Sequence, residues 1–129
     1  MVASLSGDLE AGVWVVRELM NGGRLSDPIP GTTLTASFTD GQLSGTAGCN
    51  SYFASYQAEG QWIKIGPIAS TMAFCDRPEG VMDQEGRYLA LLEAAETFER
   101  MENHLTMRRA DGLVLSYELK EESERLELD

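Results

Sequence analysis

One apolar period dominates the first half of this sequence, and it changes only once. Between Val13 and Ile65, apolar side chains recur at every second position in short runs, and each run ends at a turn signal. Val13-Trp14-Val15-Val16-Arg17-Glu18-Leu19 is rich in β-branched and aromatic residues and predicts a first strand. Asn21-Gly22-Gly23 breaks it. Asp27-Pro28-Ile29-Pro30-Gly31 reads as a loop, because proline cannot donate to a ladder. Leu34, Ala36 and Phe38 then alternate with Thr33, Thr35, Ser37 and Thr39, the pattern of a strand with one buried face. Asp40-Gly41 is a hairpin turn, since both residue types tolerate positive φ, and Leu43 to Ala47 is the return strand. Tyr52, Ala54 and Tyr56 continue the two-residue period. Glu59-Gly60 turns the chain into Trp62-Ile63-Lys64-Ile65-Gly66, which Pro67 ends.

Beyond Cys75 the spacing becomes three and four. Val81, Met82, Glu85, Tyr88, Leu89, Leu92 and Ala95 share one face of a helix expected from about Glu79 to about Thr97. Asp76 is its expected cap, with Pro78 and Glu79 in the first turn. Gly86 weakens such a helix and suggests a close packing partner. Leu105 to Arg108 and Leu113 to Leu119 then form a closing hairpin around Ala110-Asp111-Gly112. The fold class is therefore α+β: antiparallel strands and one main helix. A chain of 129 residues suits one domain. Its expected limits are residues 12–119, between a flexible segment at 1–11 and an acidic tail at 120–129.

Charge narrows the partners. The formal net charge is −11, and it is uneven: six acids face three bases up to Cys75, and fifteen face seven beyond it. Such a surface repels a phosphate backbone, so nucleic acid is not an expected partner. An anionic membrane surface is disfavoured for the same reason. No apolar run approaches the ~20 residues that span a bilayer, and the first twelve residues carry no signal-peptide pattern. Neither point speaks against a lipid anchor on a longer precursor.

Few residues offer chemistry. Cys49 and the lone His104 would make a thiol–imidazole pair, but any sequence with a cysteine and one histidine offers that. Two cysteines permit one disulfide without requiring it. Three Cys or His residues with no short Cys pair do not make a structural zinc site, and no calcium loop or phosphate loop is present, so neither metal nor cofactor is expected. Asp83 and Glu85 lie two apart on the helix and point different ways. Glu85 shares the apolar face, where its plain role is to bind backbone groups of a neighbouring loop. Asn50 is expected to set a sharp bend by adopting positive φ, and Thr71 to close the loop before Cys75. Trp14 and Trp62 are expected at the core or its edge, with stacking against a ligand or partner as the alternative.

The segment Gly48-Cys49-Asn50-Ser51-Tyr52-Phe53-Ala54-Ser55-Tyr56 resembles the hallmark of the META domain family, the HslJ-like fold of heat-inducible lipoproteins. The pattern continues in order with Ala69-Ser70-Thr71-Met72-Ala73-Phe74-Cys75, then Met82-Asp83-Gln84-Glu85 and Tyr88-Leu89-Ala90-Leu91-Leu92, then Leu105-Thr106-Met107 and Leu113 to Tyr117. Trp14 also matches. The chain departs from the pattern at Met72, where a basic residue is common, and at Ala54, where glycine is common.

The resemblance implies a curved, barrel-like antiparallel sheet wrapped against one helix. It implies a structural motif of Gly48, Cys49, Asn50, Tyr52, Tyr56, Thr71, Cys75 and Glu85, and no catalysis. It implies that Cys49 and Cys75 lie close in space, bridged in an exported protein or a packed thiol pair in a reducing one. It also implies a bacterial envelope setting, periplasmic or lipid-anchored, with roles in heat shock, stress or antibiotic tolerance and an unidentified protein partner. The alternative is a small apolar ligand held in the curved sheet near Trp14, Tyr56 and Trp62.

Overall fold

A computed structural model of the chain describes residues 9–120. The strands are β1 (Val13–Asn21), β2 (Arg24–Ser26), β3 (Thr35–Thr39), β4 (Gln42–Thr46), β5 (Ser51–Glu59), β6 (Trp62–Ile65), β7 (Ala69–Ser70), β8 (Thr97–Met101), β9 (His104–Arg109) and β10 (Gly112–Lys120). The helix α1 (Val81–Ala94) enters between β7 and β8.

All strand pairings are antiparallel. They run β10–β9–β8–β6–β5–β4–β3–β1, and β1 pairs with β10 to close the ring. Eight strands thus form a barrel, with β2 beside β1 and β7 beside β5. Closure removes the open edges that a flat sheet would expose. The weakest seam is β6–β8, where Trp62 opposes Thr97 alone and two flanking backbone bonds, Ile63 N–H to Glu96 and Phe98 N–H to Gln61, extend the join.

Alternation fills the interior. Trp14 and Val16 of β1, Ala36 and Phe38 of β3, and Tyr52, Ala54 and Tyr56 of β5 all point inward. A register shift between Val16 and Glu18 lets Leu19 return to the core three positions after Val16. The Asp40-Gly41 turn has φ of 51° and 79°, the left-handed pair that matches the twist of a hairpin.

The helix packs against β1 and β6, which stand opposite each other in the ring, so it lies across the barrel rather than along one strand. It begins at Val81, after Gly80 in the left-handed region (φ 87°); Asp76 does not cap it. It ends at Ala94 rather than at Thr97. Residues 97–101 instead form β8, whose register against β9 runs from Thr97–Arg108 to Met101–His104. The chain Thr97-Phe98-Glu99-Arg100-Met101 carries too much charge to read as a strand from its own pattern, and its pairing with β9 decides its state. The buried helix face is Val81, Gln84, Glu85, Tyr88, Leu91 and Leu92, with Leu89 only half-buried. Gly86 has no close neighbour.

Leu9 and Glu10, which fall in the segment 1–11 expected to be flexible, are held in the fold. Leu9 is buried in the core, and its carbonyl accepts the Trp14 indole N–H at 3.0 Å. The Glu10 carboxylate accepts the Asp40 amide at 2.8 Å. Residues 1–8 lie outside the described residues. At the other end Lys120 closes β10 opposite Val13, and the rest of the expected tail, 121–129, lies outside the described residues.

Candidate functional site

The chain passes from β4 to β5 through Ala47-Gly48-Cys49-Asn50. Gly48 takes φ 108°, a conformation that side chains disfavour, and a Cβ there would meet Val81 of the helix at 3.4 Å. The bend thus rests on Gly48 and not on Asn50, which has no positive φ. Asn50 works through its side chain instead.

The turn delivers two amides to one carboxylate. Glu85 Oε1 accepts the Cys49 amide at 3.1 Å and the Asn50 amide at 2.8 Å. Glu85 Oε2 accepts Asn50 Nδ2 at 2.7 Å. Both residues are buried, and charge-assisted bonds of this kind are the strong ones. On its other side Asn50 grips the segment after β7. Its Oδ1 accepts the Thr71 hydroxyl and the Ala73 amide, each at 2.7 Å, and its Nδ2 donates to the Ala73 carbonyl at 3.0 Å. The Thr71 amide donates to the Ser51 carbonyl at 3.0 Å, and the Ser51 amide to Thr71 Oγ1 at 3.2 Å. Cys49 and Cys75 are joined by a disulfide, with Cα atoms 6.0 Å apart. Helix, barrel and the 71–75 segment therefore meet at one junction.

Three tyrosines join the same helix to the barrel wall. Tyr88 Oη lies 2.9 Å from Tyr52 Oη and 2.9 Å from Tyr117 Oη. Tyr52 and Tyr88 also reach the Thr35 carbonyl, at 2.6 and 3.1 Å. Burial pushes all three phenols well above the usual tyrosine range; both neighbouring phenols push Tyr88 further up, while at Tyr117 Tyr52 raises and the bond to Tyr88 lowers. Tyr56 stands apart from this cluster. It packs edge-on against Phe38 and points its hydroxyl at Glu10, and its phenol is raised first by burial and then by that carboxylate.

The remaining candidates are dispersed. Trp14 is fully buried and offers no surface, with the Arg100 guanidinium 5.3 Å from its ring centroid. Trp62 projects outward, 66% exposed, beside a shallow 370 Å³ depression lined with Gln57, Glu59 and Lys64. Trp14, Tyr56 and Trp62 therefore line no common pocket, because alternation sends the first two into the core and the third to solvent. The Cys49 sulfur is committed to Cys75, and His104 sits on β9 at the far side of the ring, so no thiol–imidazole dyad forms. Among the described residues no cluster of His, Cys, Asp or Glu is placed to hold a metal ion, and no buried side-chain polar atom lacks a hydrogen-bond partner. No helix among them is long and apolar enough to cross a membrane.

The family model of the META domain matches residues 7–122. The chain belongs to the META domain family. Solved structures share the fold. An NMR structure of a protein from Burkholderia xenovorans superposes with TM-score 0.72 at 21% identity, over 91% of this chain and 87% of that one. A second NMR structure gives 0.66 at 20% identity, over 88% and 93%. The crystal structure of a DUF4847 family protein from Bacteroides vulgatus gives 0.64 at 14% identity, over 92% and 99%. A search of curated proteins returned no significant match.

Gln84 was not legible in the sequence of this META domain. Its Oε1 accepts the Ile29 amide at 2.8 Å and its Nε2 donates to Thr32 Oγ1 at 3.1 Å, which ties the β2–β3 loop to the helix. Its place beside Glu85, on the same buried face, was the available signal. Nothing local in the sequence marks Tyr117, a residue of the closing hairpin, as the third hydroxyl of a cluster.

Proposed function

We propose that this META domain is a non-catalytic module of the bacterial cell envelope, acting through protein contacts in stress or antibiotic tolerance. The observation that carries the proposal is the commitment of the motif's reactive atoms. Both Glu85 oxygens, every polar atom of the Asn50 side chain, the Thr71 hydroxyl and both cysteine sulfurs are engaged in holding the fold together. A nucleophile or general base needs a free atom facing substrate, and this junction offers none. A structural disulfide also suits an oxidising compartment.

Affinity capture from a bacterial envelope fraction, with the oxidised domain as bait, tests the reading. A specific partner, retained by the oxidised domain and identified in repeated captures, supports it. Labelling of Cys49 by a thiol-reactive probe in the native oxidised protein, together with turnover of any substrate that the label blocks, overturns it.

A further inference from the structure

The segment after β7 carries the two most exposed large apolar side chains among the described residues, Met72 at 92% and Phe74 at 79%. The backbone beneath them is fixed. Thr71 is bonded to Ser51, Ala73 is bonded through both its amide and its carbonyl to Asn50, and Cys75 is bridged to Cys49.

The bonds also fix which way the backbone faces. Ala69, Thr71 and Ala73 direct their amides inward, toward β5 and Asn50. In an extended chain the alternate residues then face outward. Among the described residues, Met72 and Phe74 make no backbone hydrogen bond, and β7 pairs with β5 alone. The outer side of β7 and of the segment that continues it to Phe74 is therefore unpaired among the described residues, as is the outer side of β2, and of the two it alone carries large exposed apolar side chains.

We propose that this edge receives an extended segment of a cationic protein partner, which adds to β7 as a further strand over Met72 and Phe74. The proposal rests on the reading of the domain as a protein-contact module. Three observations choose the occupant. Backbone amides and carbonyls that face outward at alternate positions are the pattern that an added strand can pair with. The two apolar side chains, two residues apart, supply anchors for alternate residues of that strand. Carboxylates bracket the edge: Glu93 accepts the Ile68 amide at 3.0 Å at its start, while Asp76, Arg77 and Glu79 follow its end with a net charge of −1, and residues 66–75 carry no charge. A second copy of the chain, also at −11, would be repelled.

The probe is a blocked heptapeptide of alternating valine and lysine, titrated into the oxidised protein and followed at backbone amides by NMR. Binding should slow hydrogen exchange at the Met72 and Phe74 amides at least tenfold. The same peptide N-methylated at alternate amides, and the variant Met72→Ser/Phe74→Ser with the unmethylated peptide, should each bind at least tenfold more weakly. Equal binding of the methylated peptide, or no binding at millimolar peptide, overturns strand addition. So does concentration-dependent dimerisation that protects the same amides, or binding to phosphatidylcholine vesicles that the double variant abolishes. Envelope capture separates the two readings. A partner retained equally by wild type and double variant leaves the protein-contact reading standing and removes this edge from it; no partner for either removes both.

Discussion

Glu85 and Asn50 are 35 residues apart in sequence and joined by two hydrogen bonds, one to the backbone amide and one to the side-chain amide of Asn50. Through Asn50 the carboxylate is also linked to the 71–75 segment, since Asn50 bonds Thr71 and Ala73. The pair is the point where helix, barrel and loop become one body.

Replacing Glu85 should show this. Glu85→Ala leaves the Cys49 and Asn50 amides and Asn50 Nδ2 buried without their acceptor, a loss of roughly 2–4 kcal/mol in denaturant unfolding. Glu85→Gln retains an acceptor for the two backbone amides but sets an NH₂ against Asn50 Nδ2, so its loss should be smaller. An Ala variant within about 0.5 kcal/mol of wild type, the size of an ordinary surface change, would contradict the account.

Two glycines should respond with opposite signs. A Cβ on Gly45 would run into the Thr35 carbonyl and meet the Tyr52 hydroxyl at 2.9 Å, where two of the tyrosine cluster's bonds converge. Gly45→Ala should cost about 3 kcal/mol or more, since the obstacle is backbone. Gly86, in the helix with nothing within 4 Å, should accept alanine with a gain of up to about 1 kcal/mol. Thermal unfolding of the two variants checks both signs.

Reduction should destabilise the domain. The Cys49–Cys75 bridge spans 26 residues, including β5, β6 and β7. Closing such a loop in the unfolded chain is worth about 3–4 kcal/mol in the chain-entropy model. Denaturant midpoints with and without reductant measure it; coincident midpoints would mean that the reduced unfolded chain is already constrained.

Strands whose faces alternate cleanly could be read directly. β1, β3, β4, β5 and β6 lie where the two-residue period and its turns place them, and the closing hairpin is β9 and β10. β8 was not legible, because Glu99 and Arg100 mask a strand that only its partners stabilise. The helix start was misplaced because Asp76 and Pro78 have the composition of a cap, while the backbone turns at Gly80. At the site, Glu85 was legible as an acid on an apolar face, since burial obliges it to find donors. The meeting of Asn50 with Ala73, and of three tyrosines at one point, depends on ring closure. No local pattern encodes that.

The tyrosine cluster gives the fold a pH limit. Tyr52, Tyr88 and Tyr117 are buried and neutral, and each phenol ionises in the folded state only well above its unfolded pKa of about 10. Below pH 10 both states keep these protons, and the contribution to stability is fully present. Above pH 10 the unfolded chain releases them first and is favoured, so stability falls as pH rises toward the folded values. With three such groups the limiting slope is about 4 kcal/mol per pH unit. Tyr117→Phe removes one titrating group and breaks only its bond to Tyr88, which keeps Tyr52 and Thr35 as partners. It should be mild at neutral pH and should lower the alkaline slope by about one third. Tyr88→Phe should cost more at neutral pH, roughly 1–3 kcal/mol, because it leaves the buried Tyr117 hydroxyl without its partner. Denaturant unfolding at a series of pH values from 7 to 11.5 checks both. A slope above pH 10 unchanged by Tyr117→Phe would mean that other groups set the alkaline limit.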